Sequence, residues 1–180
     1  MVGAAVLLVA GNWVYAELND MGDDTAVLDT RVTFEQPSIE TNADVEGDAL
    51  PDSTVQNLDG DDVAIASLVG QPMVINIWGS TCGPCKKELP DFAAAHLQYQ
   101  DSVRFVGISY LPASDREEDF ARERGVQYEL LYDGSGDFIN DMGVAAFPVT
   151  LFVDANGRIV RQTGQLDEAQ LIDYIEDGLL

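Results

Sequence analysis

The sequence predicts an α/β protein: a central mixed β-sheet flanked by helices on both faces, with an N-terminal β-hairpin extension. Three observations carry that expectation. Two apolar runs, Met73–Trp78 and Val103–Ser109, lack polar alternation, as strands covered on both faces do. Helical periodicity alternates with these strands through the middle of the chain. The chain then closes with a hairpin and one amphipathic helix.

Each element has its own signal. Thr54–Leu58 and Asp62–Ile65 are short strands around the turn Asp59-Gly60-Asp61. Ser67-Leu68-Val69-Gly70 predicts a helical turn stopped by Gly70. Leu89, Phe92, Ala93, His96 and Leu97 recur at helical spacing and predict a helix from 83 to 100, with Pro90 inside it. Ser114-Asp115-Arg116-Glu117 has the form of a capping box, opening a helix that ends at Gly125. Glu129–Tyr132 is a short strand, and Asp137–Met142 a short helix stopped at Gly143. Val149–Val153 leads through Asn156-Gly157, a hairpin signal, to Ile159–Gln162. Asp167–Leu179 is the closing helix.

Charge and composition bound the function. The 180 residues hold 32 acids against 9 bases, a formal −23, and the only lysines are Lys86 and Lys87. Such a surface repels nucleic acid and anionic lipid heads, and its self-repulsion is eased by salt. The Asp-rich, Lys-poor composition is similar to that of proteins from saline habitats. A monomer is the expected state.

Three regions divide the chain. Residues 1–16 carry no charge and fit a membrane anchor or a signal peptide, with Val14-Tyr15-Ala16 as a small-x-small cleavage site; a buried N-terminal element is the plain alternative. No Lys or Arg precedes Arg31, so no orientation signal is present. Residues 17–48 hold ten acids and one base and read as an acidic flexible tether, with an edge strand at Arg31–Phe34 as the alternative. The folded domain is expected over 49–180. Export would place the cysteines where disulfides persist, in an extracytoplasmic setting, anchored or secreted.

The chemistry centres on Cys82-Gly83-Pro84-Cys85, which contains both cysteines of the chain. A CxxC at the start of a helix leaves Cys82 near unpaired N–H groups and the positive end of the helix dipole, which favour thiolate over thiol. Pro84 sits in the first turn, where a missing N–H costs nothing. Gly83 lets a partner chain come close. Cys85, one turn on, is suited to resolving a mixed disulfide. A structural staple is disfavoured because the loop is so small. Zinc needs four ligands, and two cysteines with one histidine, His96, do not supply them. Reversible thiol–disulfide exchange is the leading reading.

The segment Ile77-Trp78-Gly79-Ser80-Thr81-Cys82-Gly83-Pro84-Cys85-Lys86-Lys87-Glu88-Leu89-Pro90, with Phe147-Pro148 before a strand and Asp154-Ala155-Asn156-Gly157 in the next hairpin, resembles the thioredoxin-like superfamily. It resembles the TlpA/ResA/DsbE-type extracytoplasmic thiol–disulfide oxidoreductases more than thioredoxin itself, over residues 49–180. The resemblance implies a thioredoxin-like fold and no cofactor beyond the redox-active disulfide Cys82–Cys85. It implies that Pro148 is a cis-proline beside the disulfide, and that Phe147 lines the substrate groove with Gly83 and Pro84. Trp78 falls on the disulfide face, against substrate or as a packed shield. Asn76 stands where thioredoxin has a buried acid, and the proton-handling acid is then Glu88, whose plain alternative is a solvated helix carboxylate. Thr81 and Val149 depart from residues common in the family, which leaves substrate choice open.

Implied partners are disulfide- or thiol-containing proteins, with apocytochrome c as one candidate, and a membrane electron donor; nucleic acid is not a partner. Gly-Pro between the cysteines resembles reducing members, so protein-disulfide reduction is the expected direction. Three alternatives stand beside it. A peroxiredoxin-like (AhpC/TSA) antioxidant enzyme expects Thr three residues before the attacking cysteine, where this chain has Gly79. A Sco-type copper chaperone expects CxxxC and a distant histidine. A binding module would leave the cysteines incidental.

Overall fold

A computed structural model describes residues 39–180. Its seven strands are β1 (Thr54–Gln56), β2 (Asp62–Ala64), β3 (Met73–Trp78), β4 (Arg104–Ser109), β5 (Glu129–Tyr132), β6 (Val149–Val153) and β7 (Ile159–Thr163). Four α-helices accompany them: α1 (Gly83–Tyr99), α2 (Asp115–Arg122), α3 (Asp137–Asp141) and α4 (Glu168–Gly178). The strands form one sheet in the order β2-β1-β5-β4-β3-β6-β7. β3, β4 and β5 run parallel, while β6 lies antiparallel to β3 and β7 antiparallel to β6. The β1–β2 hairpin forms the far edge, where β1 pairs antiparallel with β5. The mixed sheet expected from the sequence is therefore present.

β3 is buried at all six positions. Alternate side chains point to opposite faces, so Val74 and Trp78 join one core while Met73, Ile75 and Ile77 join the other. The first core is roofed by α1, α2 and α4 through Leu89, Phe92, Ala121, Leu171 and Ile175. The second is covered by α3 and a 3₁₀ turn, Ile65–Leu68, through Phe138, Ile65 and Leu68. Each large apolar side chain buried this way contributes about 2 kcal/mol of transfer free energy. Among the described residues no helix is long and apolar enough to cross a membrane.

The structure revises four local expectations. The helical turn expected at 67–70 comes earlier, at Ile65–Leu68, because Ile65 and Leu68 are the side chains with a core to enter. On α1, Leu97 is 57% exposed, and Ala95 and Tyr99 are the buried residues of the last turns. Tyr99 also donates a hydrogen bond from its hydroxyl to Glu176 of α4 at 2.7 Å, which orients that turn inward. The third revision concerns the domain boundary expected at 49. Residues 39–48 are tied to the domain: the Asn42 amide accepts from the backbone N–H groups of Ala145 and Ala146 and donates to the Ala146 carbonyl, and Val45 is buried. These bonds satisfy backbone that a free tether would leave to water. The remainder of the expected tether, the uncharged residues 1–16 and the alternative strand at Arg31–Phe34 all lie outside the described residues. The fourth revision is the capping box, which belongs to α4: Asp167 accepts from the Gln170 N–H, and the Gln170 side chain accepts from the Asp167 N–H.

Candidate active site

β3 ends at Trp78, and the next four residues carry the chain over the C-terminal edge of the parallel strands into α1. Cys82 is the N-cap of α1, in extended geometry, and its Sγ accepts the Cys85 N–H at 3.1 Å. The sulfur thus occupies the place where an N-cap oxygen would satisfy an orphan donor. Pro84 lies within the first turn and withholds no needed N–H. Cys82 and Cys85 form a disulfide, with Cys82 half-buried and Cys85 fully buried. A partner's sulfur can therefore reach Cys82 and not Cys85. Gly83 and Pro84 are exposed, and nothing lies within 4 Å of where a side chain on Gly83 would start. The space that Gly83 leaves for a partner chain is open.

Glu88 lies one turn beyond Cys85 on α1 and is wholly buried. Asn76 Nδ2 donates to its Oε1 at 2.8 Å, and the Leu166 N–H donates to its Oε2 at 3.3 Å. The β3–β6 register sets Thr150 opposite Asn76, and Asn76 Nδ2 also reaches Thr150 Oγ1 at 3.4 Å. Loss of water outweighs these donors and pushes the Glu88 carboxyl up to about 8, with a smaller upward contribution from Asp91. A neutral carboxyl near neutral pH can give a proton and take it back. The alternative of a solvated helix carboxylate does not hold for this side chain.

Sequence reasoning passed over two further residues. Glu117 is buried, and its carboxylate accepts from the Ser80 N–H at 3.0 Å, from Ser109 Oγ at 3.0 Å and from Ser80 Oγ. Ser114 does cap α2, accepting the Glu117 N–H at 3.4 Å, but the carboxylate turns away from the cap to the loop before Cys82. Its place in a motif that explained it locally hid this role. The second is Tyr110, just past β4. Its hydroxyl pairs with Thr81 Oγ1 at 2.7 Å, and its ring stacks on Phe147 with centroids 4.1 Å apart. Gly79 makes room for that ring: a Cβ there would lie 2.5 Å from it. No spacing in the sequence announces this contact, which joins three separate segments.

The peptide bond Phe147–Pro148 is cis, and stacking on Tyr110 places this turn beside the CxxC loop. Phe147 is half-buried, and it and Cys82 each pack against the first core. Trp78 is 0% exposed and stacks on Phe120, so a substrate-facing role does not fit it; it packs as a shield in the core. Gly107 on β4 leaves the space its indole fills. His96 lies edge-on to Phe105 and Tyr128, three turns along α1 from the cysteines.

Comparison with known proteins agrees with this geometry. A family model described as the AhpC/TSA family matches residues 46–162. Thiol-disulfide oxidoreductase ResA of Bacillus subtilis (strain 168) is 25% identical over 132 residues, covering 72% of this chain and 74% of the relative. The solved structure of MTB dsbF in its mixed oxidized and reduced forms is 26% identical with a TM-score of 0.63, covering 70% of this chain and 94% of that one. A putative thiol:disulfide interchange protein DsbE from Chlorobium tepidum shares the fold, with a TM-score of 0.65 at 23% identity over 75% of this chain and 98% of its own.

Proposed function

The chain belongs to the AhpC/TSA family and is a thiol–disulfide oxidoreductase, and from there we propose that it reduces disulfides of partner proteins outside the cytoplasm. The observation that carries this reading is the division of labour in the CxxC. Cys82 is reachable, Cys85 is buried, and a carboxyl pushed up to about 8 lies one turn behind Cys85.

The cycle uses these groups, water and a dithiol electron donor. In the reduced protein the Cys82 thiolate attacks a partner disulfide; one partner sulfur leaves as a thiolate and takes a proton from water. In the fraction of molecules whose Glu88 has released its proton, the Cys85 thiol passes its proton to that carboxylate and attacks Cys82 Sγ. The partner's second sulfur departs, leaving the Cys82–Cys85 disulfide and a protonated Glu88. One thiolate of a dithiol electron donor at the membrane then attacks Cys82, and Cys85 leaves with the proton that Glu88 held; the donor's second thiol attacks its own bridged sulfur, releasing Cys82 as a thiolate, its proton to water, and leaving the donor as a disulfide. The exchange needs no group besides the disulfide. Phe147 and Pro148 flank the partner segment, with Gly83 and Pro84 opposite. Residues 1–16 anchor the domain or direct its export, and apocytochrome c is a candidate substrate.

Family membership does not bring peroxide chemistry with it here. The position three residues before Cys82 is Gly79, which has no hydroxyl and faces the Tyr110 ring.

The test is the Cys82–Cys85 reduction potential, measured beside insulin reduction by wild type and Cys82→Ser. A potential near that of thioredoxin, with turnover that Cys82→Ser abolishes, is expected. A potential as oxidising as that of the strong oxidants reverses the direction of electron flow.

A further inference from the structure

We infer that the rim of the disulfide is a docking surface for an acidic segment of the partner protein, a conclusion that rests on the oxidoreductase reading above. Three segments form this rim. The CxxC loop and first turns of α1 span 79–87; the stretch after β4 spans 110–113; the turn carrying the cis-proline spans 144–148. Contacts bind them together, Thr81 with Tyr110 and Tyr110 with Phe147, and Cys82, Ala113 and Phe147 each pack against the first core.

The rim holds no Asp or Glu, although acids number 32 of the 180 residues. It holds both lysines of the chain, Lys86 and Lys87, and both are exposed. Neither forms an ion pair with another described residue. Their position also runs against helix electrostatics, because cations near a helix N-terminus face the positive end of the dipole. α1 carries no acid in its first turn to offset them. α2 and α4 both place acids in theirs. Folding stability therefore does not account for where the lysines are. The surface that remains at the disulfide is apolar, cationic and surrounded by anionic protein.

Charge at a docking face selects partners mainly through like-charge exclusion and association rate. The long-range field of this chain draws basic partners and repels acidic ones. Within the rim segments the only charged side chains are those of Lys86 and Lys87. A partner whose cysteines are flanked by carboxylates meets repulsion everywhere but there, so the acid-free rim both admits it and orients its disulfide toward Cys82. The apolar part, Tyr110, Leu111, Pro112 and Phe147, takes the uncharged residues of the same segment.

The experiment uses the full-length reduced protein and three peptides that share one disulfide loop. Their flanking residues are paired Glu, paired Gln or paired Lys. Second-order rate constants for peptide reduction are compared for wild type and the Lys86→Glu/Lys87→Glu double variant at about 0.15 M and about 1 M salt. Taking ratios between peptides within each protein cancels any effect of the lysines on Cys82 itself. The Glu peptide is expected to react about tenfold faster than the Lys peptide with wild type at the lower salt. That ratio should shrink toward one at the higher salt and invert in the double variant. Faster reaction of the Lys peptide with wild type, ratios within twofold, or equal ratios in wild type and variant each overturn the inference. So does occupation of the rim by another class of ligand, seen as retention on phosphatidylglycerol vesicles or as self-association that the Glu peptide cannot displace. Reduction of all three peptides at equal rates removes the charge preference and leaves the oxidoreductase reading intact. Absence of Cys82-dependent reduction of any of them removes both.

Discussion

Two buried glutamates stand behind the two cysteines, and they do different work. Glu88 sits behind Cys85, takes one amide donor on each oxygen, and is raised to about 8 by burial. Glu117 sits beneath the loop that delivers Cys82; both its oxygens are engaged by that loop, and one is shared with Ser109. Neither is in an ion pair with a described residue. The same side chain thus becomes a proton store where donors are few and the reacting sulfur is one turn away. It becomes an anchor where backbone and hydroxyl donors converge on it.

Glu88→Gln sharpens that contrast most. Between pH 4.5 and about 8 the folded protein holds a proton on Glu88 that the unfolded chain has released. The contribution of this site is full below pH 4.5 and is lost as pH rises toward 8, by roughly 4 kcal/mol at about 1.4 kcal/mol per unit. The glutamine variant carries no such slope. Urea unfolding of both proteins across this range checks it, and a constant difference between them contradicts a raised carboxyl.

Glu117→Ala comes next. It strands the Ser80 N–H and the Ser109 hydroxyl and opens a cavity, for a loss of about 3 kcal/mol. Urea unfolding of both proteins checks it; a loss within a few tenths of a kcal/mol would mean that the loop before Cys82 does not depend on this anchor. The smallest effect is Tyr110→Phe, which keeps the stack on Phe147 and removes the bond to Thr81. About 0.5 kcal/mol is expected from this half-exposed pair. A loss several times larger in the same urea assay would mean that Tyr110 anchors the loop as firmly as Glu117 does.

Much of the molecule was legible beforehand for local reasons. Strands β3 and β6 announce themselves because burial on both faces demands an unbroken apolar run. α1 and its cysteines follow from a strand that runs into CxxC with proline in the first turn. Glu88 could be named through resemblance, yet its burial and its partners Asn76 and Leu166 lie 12 and 78 residues away in the chain. Glu117 and Tyr110 escaped notice for the same reason. A capping motif accounted for the one, and nothing periodic marked the other, because their contacts join segments that only the sheet order makes neighbours. Residues 39–48 have the acidic composition of a tether; single amides such as Asn42 tie them down, and composition does not report single bonds.

What this sequence determined by itself is which residues enter the core, where elements begin and end, and that two thiols sit at a helix start. Periodicity, capping and burial act over a few residues and leave their mark in order along the chain. Tertiary structure decided which thiol faces outward, which glutamate loses its water, and which three segments form an acid-free rim. Those properties depend on solvent exclusion and on contacts between distant segments, and neither exists until the sheet has brought the segments together.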